Sequence, residues 1–279
     1  MKTIVLNNTH VVSGTDNSQY KYSFAQGGVR FANCEIAVAS VNMYYSWFNI
    51  TSALGNNTFQ YVWYDAGGAD TYSITIPDGF YTIDDLNSYL QSEMVSNGTY
   101  LLDANDDYVY YLEFTTNSSL YAVQLNSYAI PTALPTDYSN PASITFPATA
   151  TTPQVIIPST DIQDILGFTA GTYPSATQTT DYSYTSDYTP QVAPVQSVIM
   201  RCDLVVNPYS NPQDVIYSFA PTGTTFGSLI SSVPNELIWC DIQDQYFPDF
   251  NIYFTDQNFN RITIEDSNIV VLLVIREKK

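Results

Sequence analysis

The run Asp103-Ala-Asn105-Asp106-Asp107 sets an oxygen-bearing side chain at every second position, the spacing with which a calcium loop begins. Such a loop needs glycine at its sixth position and a bidentate glutamate at its twelfth, and Tyr108 and Phe114 stand there instead. Asp103, Asn105 and Asp107 therefore read first as a solvated acidic turn, and only weakly as a calcium site. His10 is the only histidine. It lies in a stretch of weak periodicity, so Ser-His-Asp and Cys-His relays are excluded unless that stretch folds into a site. Asp78-Gly79 lacks the paired setting of an aspartic protease. No glycine-rich loop with a lysine is present to hold phosphate. Cys34, Cys202 and Cys240 form no C-x-x-C pair, which argues against zinc. Buried free thiols are the preferred reading, and one bridge with one free thiol is the alternative. Neither catalytic residues nor a cofactor are expected, and the chain reads as a non-enzyme. The 27 acidic residues leave a carboxylate-pair glycoside hydrolase as a third reading.

The charge pattern is more informative than any motif. Not one lysine or arginine occurs between Arg30 and Arg201, although carboxylates run from Glu35 to Asp187 within that stretch. The segment must be held by burial, backbone pairing and neutral polar contacts. With a net charge of −19 the surface repels nucleic-acid phosphates and anionic membranes. Charged residues make up 13% of the chain while 24 tyrosines are present. Low charge with many amphipathic rings suits a contact surface, although tyrosine also favours strands for its own reasons. The longest apolar run, Ile269 to Ile275, is too short to span a bilayer. Ile4 to Leu6 is too short for a signal core, so assembly in a host cytoplasm is expected.

The elements that must position these residues are mostly strands. Ile36 and Val38 alternate on one parity; Val41, Met43, Tyr45 and Trp47 continue on the other. That flip near Ser40 predicts a β-bulge in one long strand. Phe59, Tyr61 and Trp63 pair with Tyr72, Ile74 and Ile76 across a loop at 65–70. Thr82 and Asp85 form a capping box for a helix whose apolar stripe is Ile83, Leu86, Leu90 and Met94, and Gly98 ends it. So narrow a stripe places the helix on a sheet edge. A second box, Thr160-x-x-Gln163, predicts a short helix closed by Gly167. Strands follow at 198–206, 215–219, 237–242 and 250–254. The run Ile269 to Ile275 is apolar on both parities, which predicts a mid-sheet strand with its outer face also covered. The fold class is all-β: a jelly-roll β-sandwich with one sheet-edge helix and an inserted outer subdomain. Residues 1–30 read as an arm or an edge strand, 31–128 with 195–279 as the body, and 129–194 as the insertion, with 169–194 an exposed excursion.

The order of segments resembles the penton (vertex, minor) capsid proteins of virophages and polinton-like viruses. The likeness is carried by Ile74-Thr-Ile-Pro-Asp-Gly-Phe-Tyr-Thr-Ile-Asp-Asp-Leu-Asn-Ser-Tyr-Leu90, then Asp164-Ile-Leu-Gly-Phe168 with Gly171-Thr-Tyr-Pro174. It continues through Arg201-Cys-Asp-Leu-Val-Val-Asn207, Val215-Ile-Tyr-Ser-Phe-Ala-Pro221 and the Ile269–Ile275 run. The resemblance implies a homopentamer at an icosahedral vertex of the virion, contact with a double-jelly-roll major capsid protein, and no catalytic residues. It also implies an outward insertion, which could meet a host receptor or glycan. The cations near both termini suggest chain ends that meet at one face. The alternative function is a carbohydrate- or receptor-binding β-sandwich, similar to a fibre head. No nucleic-acid partner and no membrane insertion are expected.

Overall fold

The computed structural model describes residues 1–221 and 223–278. The chain begins with strands β1 (Lys2–Leu6), β2 (Gln19–Ser23) and β3 (Cys34–Tyr44). Its middle carries β4 (Thr58–Asp65), β5 (Gly68–Thr75), helix α1 (Ile83–Ser96), β6 (Leu112–Asn117), β7 (Ala122–Ser127), β8 (Gln154–Ile157), α2 (Ile162–Leu166), β9 (Gly171–Tyr173) and β10 (Tyr182–Thr185). It ends with β11 (Val198–Cys202), β12 (Val215–Phe219), β13 (Leu229–Ser232), β14 (Asp249–Thr255) and β15 (Val270–Glu277). These elements form two compact units, Met1–Trp47 with the chain from Val195 on, and Phe48–Pro194.

In the first unit the strand pairs nest. β1 pairs with β15, β2 with β14, β3 with β13, and β11 with β12 at the centre of the sequence order. The two sheets run β1-β15-β3-β13 and β12-β11-β14-β2, all antiparallel. This is jelly-roll winding, the roll-up of one long hairpin into two sheets. Alternation drives it. Ile36, Val38, Val41 and Met43 of β3, with Val271, Leu273 and Ile275 of β15, are buried on the inner parity of one sheet. Met200, Cys202, Phe250, Ile252 and Phe254 do the same in the other. The predicted bulge is present: Leu272 pairs with Ser40 and Leu273 with Val38, leaving Ala39 without an opposite residue. Of the two readings of residues 1–30, an arm or an edge strand, the structure shows edge strands: β1 and β2 each close one edge of the two sheets. Lys2 lies opposite Ile275, so the two chain ends do meet on adjacent strands. Lys278 pairs with Asp241 there, Lys21 binds Asp249 on the other sheet, and Lys279 lies outside the described residues.

The second unit contains no cation at all, because it falls wholly inside the lysine- and arginine-free stretch. Its sheets run β9-β8-β4-β5 and β10-β7-β6. The core joins Phe59, Tyr61 and Trp63 to Leu86, Leu90 and Met94 of α1 and to Phe114, Val155 and Phe168. Neutral groups satisfy its interior. Buried Asn49 donates to the Tyr81 and Val192 carbonyls and accepts from the Tyr81 amide, and Ser127 donates to the Pro153 carbonyl at 2.6 Å. The Thr82–Asp85 capping box forms as predicted. α1 packs on β6, an edge strand, and Asn87 accepts its Phe114 amide at 2.9 Å. The helix thus covers an edge that would otherwise template pairing.

Several expectations need correction. The second compact unit begins at Phe48, well before 129, and runs to Pro194. The strands of 129–194 have no sheet of their own: β8 pairs with β4, and β10 with β7. Residues 169–194 are likewise not a simple exposed excursion, since β9 and β10 lie within them. The loop at 65–70 is a two-residue turn, Ala66-Gly67, tightened by the Gly67 amide donating to Asp65. The second capping box is absent. α2 starts after Asp161 with no side-chain cap, and the Thr160 hydroxyl is buried without a partner. Of 237–242 only Cys240–Asp241 pairs with β3. Gly167 does close α2, at φ +78°. A Cβ there would lie 2.4 Å from the Tyr188 carbonyl oxygen, a backbone atom that cannot step aside alone. We expect Gly167→Ala to cost about 3 kcal/mol in chemical denaturation, from the left-handed backbone plus the clash.

Candidate assembly surface

The outward parity of the β1-β15-β3-β13 sheet carries an unusual set of residues. Leu229 faces Tyr44; Ser231, Asn42 and Val270 share a row; Ser40, Leu272 and Val5 share the next. Not one of these is charged. Leu229 is 51% exposed, Val5 50% and Val270 41%. An antiparallel sheet with one face in water normally alternates apolar-in with polar-out; here the outward face is uncharged and mixes exposed Val5, Leu229 and Val270 with Ser40, Asn42 and Ser231. Beyond the β13 edge, Val233 and Ile238 are also exposed. Charge is confined to one end of the face. There Arg276 pairs with Glu35 and stacks over the Trp239 ring at 3.8 Å. Covering the remainder removes apolar area from water at about 25 cal/mol per Å² with no charge to desolvate. The run at 269–275 is mid-sheet as expected, but its outer face is not covered: Val270 is exposed and Leu272 half-buried. Tyr44, Leu229 and Val233 were missed, since an exposed apolar residue looks like a core residue until its sheet partner is known.

Tyrosines organise the second unit. Tyr100, Tyr108 and Tyr110 form a ladder with centroids 5.1 and 6.0 Å apart. Asp187 is a hub: it accepts the Thr169 amide at 2.7 Å, the Thr169 hydroxyl at 2.8 Å, the Tyr184 hydroxyl at 2.7 Å and the Tyr173 hydroxyl at 3.1 Å. Burial raises its pKa, but these donors outweigh burial and hold the carboxyl below the usual range. The bond to Asp187 helps push the Tyr184 hydroxyl up to about 12. The sign follows. A depressed folded-state pKa gives stability above the unfolded value of about 3.9, and that stability is lost as pH falls through the folded value. Asp187→Asn should therefore destabilise the protein at pH 7, and the gap to wild type should close in acid, as read by urea denaturation across pH.

The residues singled out for chemistry are scattered. Asp103 accepts the Asn105 and Asp107 amides at 2.8 and 3.0 Å, and those bonds, led by Asp107, lower its pKa. This is an Asx turn, and no group of three metal-ligating side chains occurs among the described residues. His10 ends a short 3-10 turn, accepts from the Asn7 amide and stacks on Tyr22 at 5.6 Å. Cys202 and Cys240 are buried free thiols, and burial pushes both pKa values up. Cys34 is free and half-buried. No carboxylate is among the fully buried side chains of the described residues; burial raises the Asp203 pKa, and Asn251 donates to both Asp203 oxygens, from its backbone amide at 2.9 Å and its side chain at 2.8 Å.

No family model matches the sequence, and no curated protein matches it. Among solved structures the chain is similar to the mavirus penton protein, with a TM-score of 0.46 at 9% identity over 99% of this chain and 100% of that one. It is also similar to a chain of the Sputnik virophage particle, with a TM-score of 0.37 at 12% identity over 100% of this chain and 98% of that one. Likenesses this distant carry no argument for function; the nested strand order of this chain is what establishes its mostly-β jelly-roll fold.

Proposed function

We propose that this chain is a structural capsid protein, a building block of the vertex of an icosahedral virion, and not an enzyme. The observation that carries the reading is the uncharged outer face of the β1-β15-β3-β13 sheet, with Val5, Leu229 and Val270 exposed on it. A jelly roll offers flat sheets and edges that can be pressed against neighbours, and this one has a face that water does not favour. The order of sequence segments, which resembles virophage pentons, supplies the number five and names a double-jelly-roll major capsid protein as the surrounding partner. A closed ring of five requires two different patches meeting head to tail, so the apolar face must find a complementary patch on the next copy. The cation-free second unit supports the same reading: copies brought together repel through their second units, which favours contact through the jelly rolls. The test is co-assembly. The purified chain should sediment as a ring, and the ring should bind the major shell protein at vertices seen by electron microscopy. A chain that stays single and is absent from the particle contradicts the proposal.

A further inference from the structure

The loop before α1 and the outward side of that helix enclose a second feature. Phe80, Tyr81, Asp85, Ser88, Tyr89 and Ser92 line a shallow, wide-open depression of about 500 Å³. The helix contributes Asp85, Ser88, Tyr89 and Ser92 at spacings of three and four, opposite its buried stripe. Both tyrosine rings are held in place. Gly79 has no Cβ, and one built there would lie 2.8 Å from the Tyr81 ring, so that ring rests directly on the backbone. The Tyr89 hydroxyl donates to the Thr75 carbonyl at 2.9 Å. Asp85 spends Oδ2 on the Thr82 amide and hydroxyl, and its Oδ1 accepts no hydrogen bond among the described residues. Ser88 donates to the Asp84 carbonyl, which leaves its oxygen free to accept.

Fixed aromatic rings beside a free carboxylate oxygen and hydroxyls complement one ligand class well. A sugar ring presents an apolar C–H face and a rim of hydroxyl donors. Electrostatics narrows the class further. Asp84, Asp85 and Glu93 lie on this helix, and the unit has no lysine or arginine to meet an anion. We propose that this cleft binds a neutral pyranose of a glycan, the Tyr81 and Tyr89 rings lying against its C–H face and Asp85 Oδ1 accepting from its hydroxyls. The site is independent of the assembly face, so its test stands or falls separately.

Saturation-transfer NMR on the full chain tests it, with methyl glucoside, methyl galactoside and methyl N-acetylglucosaminide as neutral probes and methyl sialoside as the anionic one. At least one neutral probe should receive saturation, and the sialoside should not. Tyr89→Ala removes one platform, and Ser92→Trp fills the cleft from an exposed helix position that leaves the core alone. Each should weaken binding by about tenfold or more, the loss expected when a central aromatic contact goes, with circular dichroism unchanged. Absence of transfer to every neutral probe, equal transfer to the sialoside, or undiminished transfer in Ser92→Trp overturns the proposal.

Discussion

Leu229→Glu yields a folded jelly roll that no longer assembles. Leu229 is half exposed on an edge strand, so a charge there is solvated in the single chain and should change its stability by no more than about 0.5 kcal/mol. In the proposed ring the same carboxylate would be buried against a neighbour. Its row holds Tyr44 and the next row Ser231, Asn42 and Val270, none of which carries a positive charge to offset it. An unpaired buried charge costs about 3–5 kcal/mol, or roughly 100- to 1000-fold or more in association at each contact. Leu229→Ala separates the lost apolar area from the added charge and should weaken association far less. Sedimentation of the three proteins at matched concentration reads the difference. Unchanged assembly of Leu229→Glu would place the contact elsewhere.

Phe254→Ala has the largest expected effect on folding. Phe254 is fully buried on β14, between β11 and β2. Its ring meets the Tyr20 ring edge-on with centroids 5.8 Å apart. Truncation removes the ring and leaves a cavity in a sheet paired on both sides, where little can collapse inward. The expected cost is about 3–5 kcal/mol, a large share of a typical total of about 5–15 kcal/mol. Tyr20→Phe is the contrasting variant. It keeps the packing and loses only the hydroxyl donating to the Ser267 carbonyl at 3.2 Å, worth about 1 kcal/mol. Urea denaturation should rank Phe254→Ala well below Tyr20→Phe. Equal losses would mean that the hydroxyl, not the ring, anchors this corner.

What could be read from the sequence follows physical lines. Period-two runs are direct images of sheet faces, so β3 with its bulge at Ala39 and the doubly apolar β15 were legible. The α1 cap was legible because Thr82 and Asp85 are close in sequence and need no tertiary partner. Thr160 and Gln163 have the same spacing, yet the backbone there turns before the hydroxyl can reach an amide, so local chemistry lost to tertiary placement. The boundary at Phe48 was invisible for a different reason. β4 to β7 alternate as regularly as jelly-roll strands, and only long-range pairing, β8 onto β4 and β10 onto β7, shows that they belong with 129–194. The 237–242 run shows the limit of apolar pattern: Ile238 is 62% exposed. The outward face of the β1-β15-β3-β13 sheet was not legible, because the run at 269–275 reads as covered on both sides while Val270 is exposed. The cleft beside α1 was not foreseen, because Gly79, Phe80 and Tyr81 read as the end of a strand and the start of a cap.

Native mass spectrometry of the purified chain, titrated from micromolar to millimolar, tests the assembly claim most directly. A discrete species of five times the 31.1 kDa protomer mass should appear in the wild type and be absent in Leu229→Glu. A protomer that remains single throughout, or a ring indifferent to that substitution, would contradict it.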